Sequence, residues 1–184
     1  MPTLADLAAR ITSSRPSCGP VRLVAVDGPG GSGKTTFAGL LSEALNGAPV
    51  VHSDDFPIPW DQGPESWFGH LRRDVLEPLG RGSAAVFSRY DWRRAAYAEP
   101  IEVPPADVVI VEGVSVARAS CPAAFRVWVE APREVRQARV IARDGVCHTA
   151  DWLVWTAAED DWFAREPVAW DARVDGGTFG ISWA

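Results

Sequence analysis

Cysteine is scarce in this chain: the three present, Cys18, Cys121 and Cys147, have neither an even count nor metal-ligand spacing. That excludes a disulfide framework and a cysteine-held metal, and the residues read as small apolar fillers in a reducing compartment. Long apolar runs are missing too, since no stretch approaches the roughly eighteen residues a membrane-spanning helix needs. The start, M-P-T-L-A-D-L-A-A-R, lacks the basic residues and apolar run of a secretory leader, so the expectation is a soluble, cytoplasmic protein with no membrane partner. Positive charge is not in surplus. With 24 acidic against 18 basic residues the net charge is −6, which speaks against a nucleic-acid groove, because a phosphate backbone demands a concentrated basic face. No internal repeat or low-complexity segment is evident, and 184 residues suit a single domain, 1–184, with a substantial core. A small-molecule ligand is the better match, and the sequence leaves oligomeric state open.

Alternating strand and helix signals organise the chain. A helix over Thr3 to Ser13 carries the stripe Leu4, Leu7, Ala8 and Ile11, and residues 1–20 form a helical extension at the N-terminus. Strands are predicted at Val21 to Val26, Val50 to His52, Val108 to Val111, Phe125 to Val129 and Arg173 to Gly176. Val108 to Val111 is apolar throughout, the mark of a central parallel strand covered on both faces. Helices are predicted at Gly33 to Leu45, Glu65 to Leu79, Pro132 to Asp144 and Ala150 to Ala164, while Ala84 to Val103 makes an excursion above the sheet. Strands joined by helical crossovers give an α/β fold: three layers, α/β/α, around a mostly parallel five-stranded sheet. Several of the nine tryptophans fall late in the chain and read as packing between helices and sheet.

Between the first strand and the next helix, Gly28 to Thr35 read G-P-G-G-S-G-K-T. This is the phosphate-binding loop G-x-x-x-x-G-K-[ST] in the context that it requires. Gly28, Gly30, Gly31, Ser32 and Gly33 let successive amides turn inward around phosphate oxygens, aided by the helix dipole. Lys34 is expected on the β and γ phosphates of ATP and the Thr35 hydroxyl on Mg²⁺, with Thr36 the next residue of the binding segment.

Ligands of a parallel α/β sheet gather beyond the carboxyl ends of its strands. That rule brings the loop together with Asp54-Asp55 and with Glu112, which ends the most apolar strand. Phosphoryl transfer needs a carboxylate at the acceptor hydroxyl and acidic groups for Mg²⁺. Asp54 is the first choice of base, and either Asp54 or Glu112 can serve base or metal; Asp27 reads as a supporting carboxylate. Along the helix from Pro132, Arg136, Arg139 and Arg143 share one face. That face is a solvated stripe or, beside a phosphate loop, a lid over about 132–150 that closes on ATP and neutralises the transferred group. Asp175, Gly176 and Gly177 stand where backbone groups can frame the adenine.

Together, V-A-V-D-G-P-G-G-S-G-K-T-T-F-A, V-V-H-S-D-D-F, R-Y-D-W, V-V-I-V-E-G-V and R-E-V-R-Q-A-R-V-I-A-R-D resemble the uridine kinase and nicotinamide riboside kinase branch of the phosphate-loop kinases. The resemblance implies a helical lid over the sheet and ATP-dependent phosphorylation of a hydroxymethyl group. It places Asp54 as base and sugar contact, Glu112 with Mg²⁺, Tyr90, Asp91 and Trp92 near the acceptor, and Arg136, Arg139 and Arg143 on the lid. Two departures stand out: Pro57 replaces the tyrosine usual after D-x-F, and Arg93 to Ala96 hold no histidine. Phe56, Trp60, Arg89, Tyr90 and Trp92 then shape the pocket for another hydroxyl-bearing compound. The expected activity is a small-molecule kinase. A nucleoside monophosphate kinase, using Arg89, Arg93 and Arg94, and a nucleotide-responsive binding protein are the rivals.

Overall fold

Thr3 opens the first helix by a reciprocal cap, its hydroxyl accepting from the Asp6 amide while the Asp6 carboxylate accepts from the Thr3 amide. The computed structural model describes residues 1–58 and 62–184, apart from the side chain of Cys147. Its helices are α1 (Leu4–Ser13), α2 (Lys34–Ala44), α3 (Phe68–Leu71), α4 (Glu77–Gly80), α5 (Arg133–Asp144) and α6 (Thr149–Arg165). Its strands are β1 (Arg22–Asp27), β2 (Val50–His52), β3 (Ala85–Asp91), β4 (Ala96–Val103), β5 (Val108–Glu112), β6 (Phe125–Glu130), β7 (Ala172–Asp175) and β8 (Ile181–Trp183).

Six strands form one sheet in the order β2-β5-β1-β6-β7-β8. The first five are parallel, and β8 joins the edge antiparallel to β7. The fold is thus α/β with a mostly parallel five-stranded core. Alternation along β1 divides the interior into two layers. Leu23 and Ala25 face a core shared with Trp67, Leu71, Val75 and Leu79, whereas Val24 and Val26 face one shared with α1 and α2 through Leu7, Ile11, Phe37 and Leu41. Every residue of β5 is buried, as its apolar run requires.

Three expectations change in detail. The helix expected from Glu65 begins at Phe68, because Pro64 to Trp67 form a turn, and it passes through a π-helical stretch, Arg72–Leu76, before α4. The excursion is a full hairpin of β3 and β4 separate from the main sheet, which tolerates Pro100 within β4. β8 was not expected: three residues, I-S-W, are too few for a periodic signal, and their pairing with β7 supplies the structure.

Candidate active site

At the carboxyl edge of β1, Asp27 is buried and accepts from the amides of Gly28 at 2.7 Å, Ser115 at 3.0 Å and Ala117 at 2.9 Å. One carboxylate therefore ties the root of the phosphate loop to the segment leaving β5. Burial pushes it up to about 6, against the amides, which favour the ionised form. Gly31 and Gly33 adopt φ of 77° and 104°, values open to glycine, and a Cβ added at either would press on the Arg136 or the Gly176 backbone. Gly33 then caps α2, so the unsatisfied amides of its first turn face the cleft.

Around this loop lies a cleft of about 760 Å³. Gly30, Gly31, Gly33, Lys34, Thr35 and Thr36 line one wall; Ser53, Asp54 and Glu112 line the second; Arg139, Arg143, Asp144 and Trp155 come from the side of α5 and α6. The strand order explains the convergence, since β5 pairs with β1 and β2 with β5, all parallel, so their carboxyl ends share one edge of the sheet. Lys34, only 8% exposed, rests its ammonium on the Pro29 carbonyl at 3.0 Å. The Thr35 hydroxyl donates to Glu112 Oε1 at 3.2 Å, and the same oxygen lies 2.8 Å from His52 Nδ1. That hydrogen bond raises the His52 value above its ordinary range. Glu112 is thus a buried carboxylate with two neighbours: the hydroxyl expected on a metal and an imidazole that fixes its orientation.

Asp54 sits exposed on the 3-10 turn after β2, where its carbonyl accepts from the Trp92 indole at 2.7 Å. The tip of the hairpin is pinned beside the proposed base by that bond. Its neighbour Asp55 is raised, chiefly by burial. Arg143 pairs with Asp144 at 2.8 Å and feels Asp54 across the cleft.

Other expected residues take different places. Phe56 is 3% exposed and stacks on Phe87 with ring centres 5.0 Å apart, so it is wall rather than lining. Tyr90 packs on Trp92 and Tyr97, and the Asp91 carboxylate accepts from the Arg93 and Arg94 amides, so both serve the hairpin; neither they nor Arg89 line the cleft. Trp60 lies outside the described residues. Ser32 is fully buried. Asp175 caps the β7 to β8 turn through Gly177 and Thr178, which lowers its value, and it does not reach the cleft. Arg139 reads the loop through backbone oxygens, donating to Gly31 at 3.1 Å, Ser32 at 3.2 Å and Gly176 at 2.9 Å. Arg136 is buried against Gly30 and Glu159 and does not line the cleft.

Sequence reasoning gave no role of their own to His52, His148 and Glu159, read Trp155 as packing, and offered Arg93 only to the rival nucleoside monophosphate kinase. Arg93, His148 and Trp155 line the cleft. Glu159 had a readable signal: with Trp152 and Thr156 it follows the spacing of one inward stripe on α6, where an acidic residue needs a partner.

No protein-family model matches the chain. A uridine kinase of Borrelia duttonii (strain Ly) is 22% identical over 140 residues, covering 67% of this chain and 68% of that protein. Among solved structures, a candidate fructose transport system kinase of Silicibacter sp. TM1040 superposes with a TM-score of 0.73 at 22% identity, covering 94% of this chain and 99% of that one. A D-glycerate 3-kinase of Cryptococcus neoformans var. grubii serotype A gives 0.62 at 17%, covering 98% and 96%. Their substrates differ, so the likeness does not single out the uridine and nicotinamide riboside branch. It establishes an α/β fold shared with these kinases, at low identity.

Proposed function

We propose that this chain is an ATP- and Mg²⁺-dependent kinase that transfers the γ-phosphoryl group to a hydroxyl of a nucleoside-like or other small molecule. One observation carries the reading: Lys34, Thr35, Asp54 and Glu112, from three separated segments, line one cleft at the carboxyl edge of the sheet. Similarity to kinases of several substrates supports the reaction class and leaves the acceptor open.

The residues fit a divalent ion. The Thr35 hydroxyl and the Glu112 carboxylate, 3.2 Å apart, are hard oxygen donors of the kind Mg²⁺ takes, and Asp54 is a further carboxylate on the same wall. When bound, the ion neutralises charge on the β and γ phosphates. Lys34 leaves the Pro29 carbonyl for phosphate oxygens, and the loop amides hold the same chain of oxygens. Asp54 orients the acceptor hydroxyl and takes its proton as that oxygen bonds to the γ phosphorus and the bond to the ADP oxygen breaks. Arg139 keeps the loop carbonyls turned outward, which points the amides inward. Arg143 supplies positive charge opposite Asp54. His52 holds Glu112 in its rotamer.

Arg93 on the cleft wall favours one refinement, an acceptor that is itself acidic, a nucleoside monophosphate included. The test is a mixed library of nucleosides, vitamins, sugars and aminoglycosides incubated with ATP and Mg²⁺, with products detected by mass and ADP release compared for nucleosides and their monophosphates. The expected result is one phosphorylated class with stoichiometric ADP. Saturable ATP binding without transfer, together with a nucleotide-dependent protein partner, would instead favour the binding-protein rival.

A further inference from the structure

Helix α6 carries a carboxylate that none of these steps uses. Glu159 is wholly buried, and its Oε1 accepts from the Gly30 amide at 2.8 Å and from the Trp155 indole at 2.6 Å. Its Oε2 is buried without a hydrogen-bond partner among the described residues and lies 3.8 Å from Arg136 Nη1. Arg136 is buried too; it donates to the Gly30 carbonyl at 3.4 Å, and its Nε has no partner among the described residues. An acidic side chain thus rests on a loop whose glycines and amides suit an anion.

The Gly30 amide has a single hydrogen. It points at the carboxylate or at a phosphate oxygen, and not fully at both. The Lys34 ammonium touches the Pro29 carbonyl, so Pro29 and Gly30 stand at the end of the loop where that ammonium meets the β and γ phosphates. A terminal phosphate arriving there meets a buried negative charge only a few ångströms away, in a poorly screened setting. It also meets Arg136, a cation that the carboxylate satisfies at one corner only.

We propose that Glu159 is a positioning residue that holds the Gly30 amide and Arg136 in the nucleotide-free protein until a terminal phosphate takes both from it. The inference rests on the triphosphate reading above. In the exchange Arg136 passes from carboxylate to phosphate oxygens, and Glu159 withdraws with α6 from the loop. Both helices touched by the exchange, α5 and α6, belong to the lid side of the cleft, so closure and phosphate arrival become one event. No covalent bond changes.

Two measurements on the full chain test this, with the variants Glu159→Ala and Glu159→Gln. The first is hydrogen exchange at the Gly30 amide without nucleotide: Glu159→Ala should exchange there about tenfold faster or more, because its acceptor is gone. The second is calorimetric affinity for ATP and ADP with Mg²⁺. Removing the competing charge should tighten ATP binding about tenfold in Glu159→Ala, less in Glu159→Gln, which keeps an acceptor, and should change ADP binding much less. If the alanine variant fails to fold, the near-isosteric glutamine variant carries the affinity comparison by itself. Wild-type ATP binding with equal or weaker binding in the variants overturns the placeholder role alone, making Glu159 a fixed brace. Absence of ATP and ADP binding in every protein overturns the kinase reading and the placeholder role together.

Discussion

Replacing Gly176 by alanine measures how closely the last parallel strand buttresses the phosphate loop. A Cβ there would meet the Ser32 carbonyl oxygen at 1.7 Å, and real Cβ contacts essentially never fall under 3.0 Å, so the two backbones must part by more than an ångström. Neither side yields readily. The Gly176 amide donates to Glu130 at 2.7 Å, its carbonyl accepts from Arg139 at 2.9 Å, and Arg139 also holds the Ser32 carbonyl at 3.2 Å. Losing one or two such bonds costs about 1–3 kcal/mol, or roughly 2–12 °C in melting temperature for a chain of this size. Function should suffer more than stability. A shift of about 1 Å in the loop misplaces the terminal phosphorus and lowers turnover on the order of 10²-fold. Melting curves, calorimetric ATP affinity and turnover on the acceptor found by library screening together decide the matter. A Gly176→Ala protein with wild-type melting temperature, affinity and turnover would refute the claim that β7 sets the loop's position.

Further outcomes follow from single residues. Asp27→Asn turns one of two acceptor oxygens into a donor, leaves at least one of three amides unpaired, and should lower stability by about 1–3 kcal/mol in urea unfolding. The pH dependence has a definite sign: because Asp27 is raised from 3.8 to about 6, its contribution is whole below the lower value and is lost as pH rises through the upper one. Wild type should therefore lose up to about 3 kcal/mol across that window that Asp27→Asn does not lose; parallel stability profiles for the two proteins would sink this assignment. Asp54→Asn should lower turnover by about 10²–10⁴-fold with ATP affinity nearly unchanged, and equal turnover removes Asp54 from the base role. Lys34 is the only lysine in the chain. Reductive labelling with pyridoxal phosphate should thus mark it and the terminal amine alone, with ATP and Mg²⁺ protecting Lys34; labelling that ATP leaves unchanged would place the triphosphate elsewhere.

Much of the framework was legible because its signals are local. The apolar runs of β1 and β5, the glycines before Lys34 and the carboxylates that end β2 and β5 each declare themselves within a few residues, and strand order does the rest. What escaped depends on contacts distant in sequence. Glu159 meets Gly30 across 129 positions, and in the run E-D-D it looks like one more solvated acid. Arg136 and Arg139 share a helical face as their spacing requires, yet the first is drawn into the seam by Glu159 and the second onto loop carbonyls. Phe56 sits in a motif that reads as substrate contact, but the stacked ring of Phe87, reachable only once the hairpin forms, claims it for the core. Trp155 differs from its neighbours Trp152 and Trp162, which are buried as expected, because its position on α6 turns it to the cleft.

The account stands or falls on where a triphosphate lies. A crystal structure with a non-hydrolysable ATP analogue and Mg²⁺ should show the phosphates within the loop, the terminal one contacting the Lys34 ammonium and facing Asp54 across the cleft, with the ion at Thr35 and Glu112. A nucleotide bound away from Lys34, or a terminal phosphate turned from Asp54 toward bulk water, would contradict it.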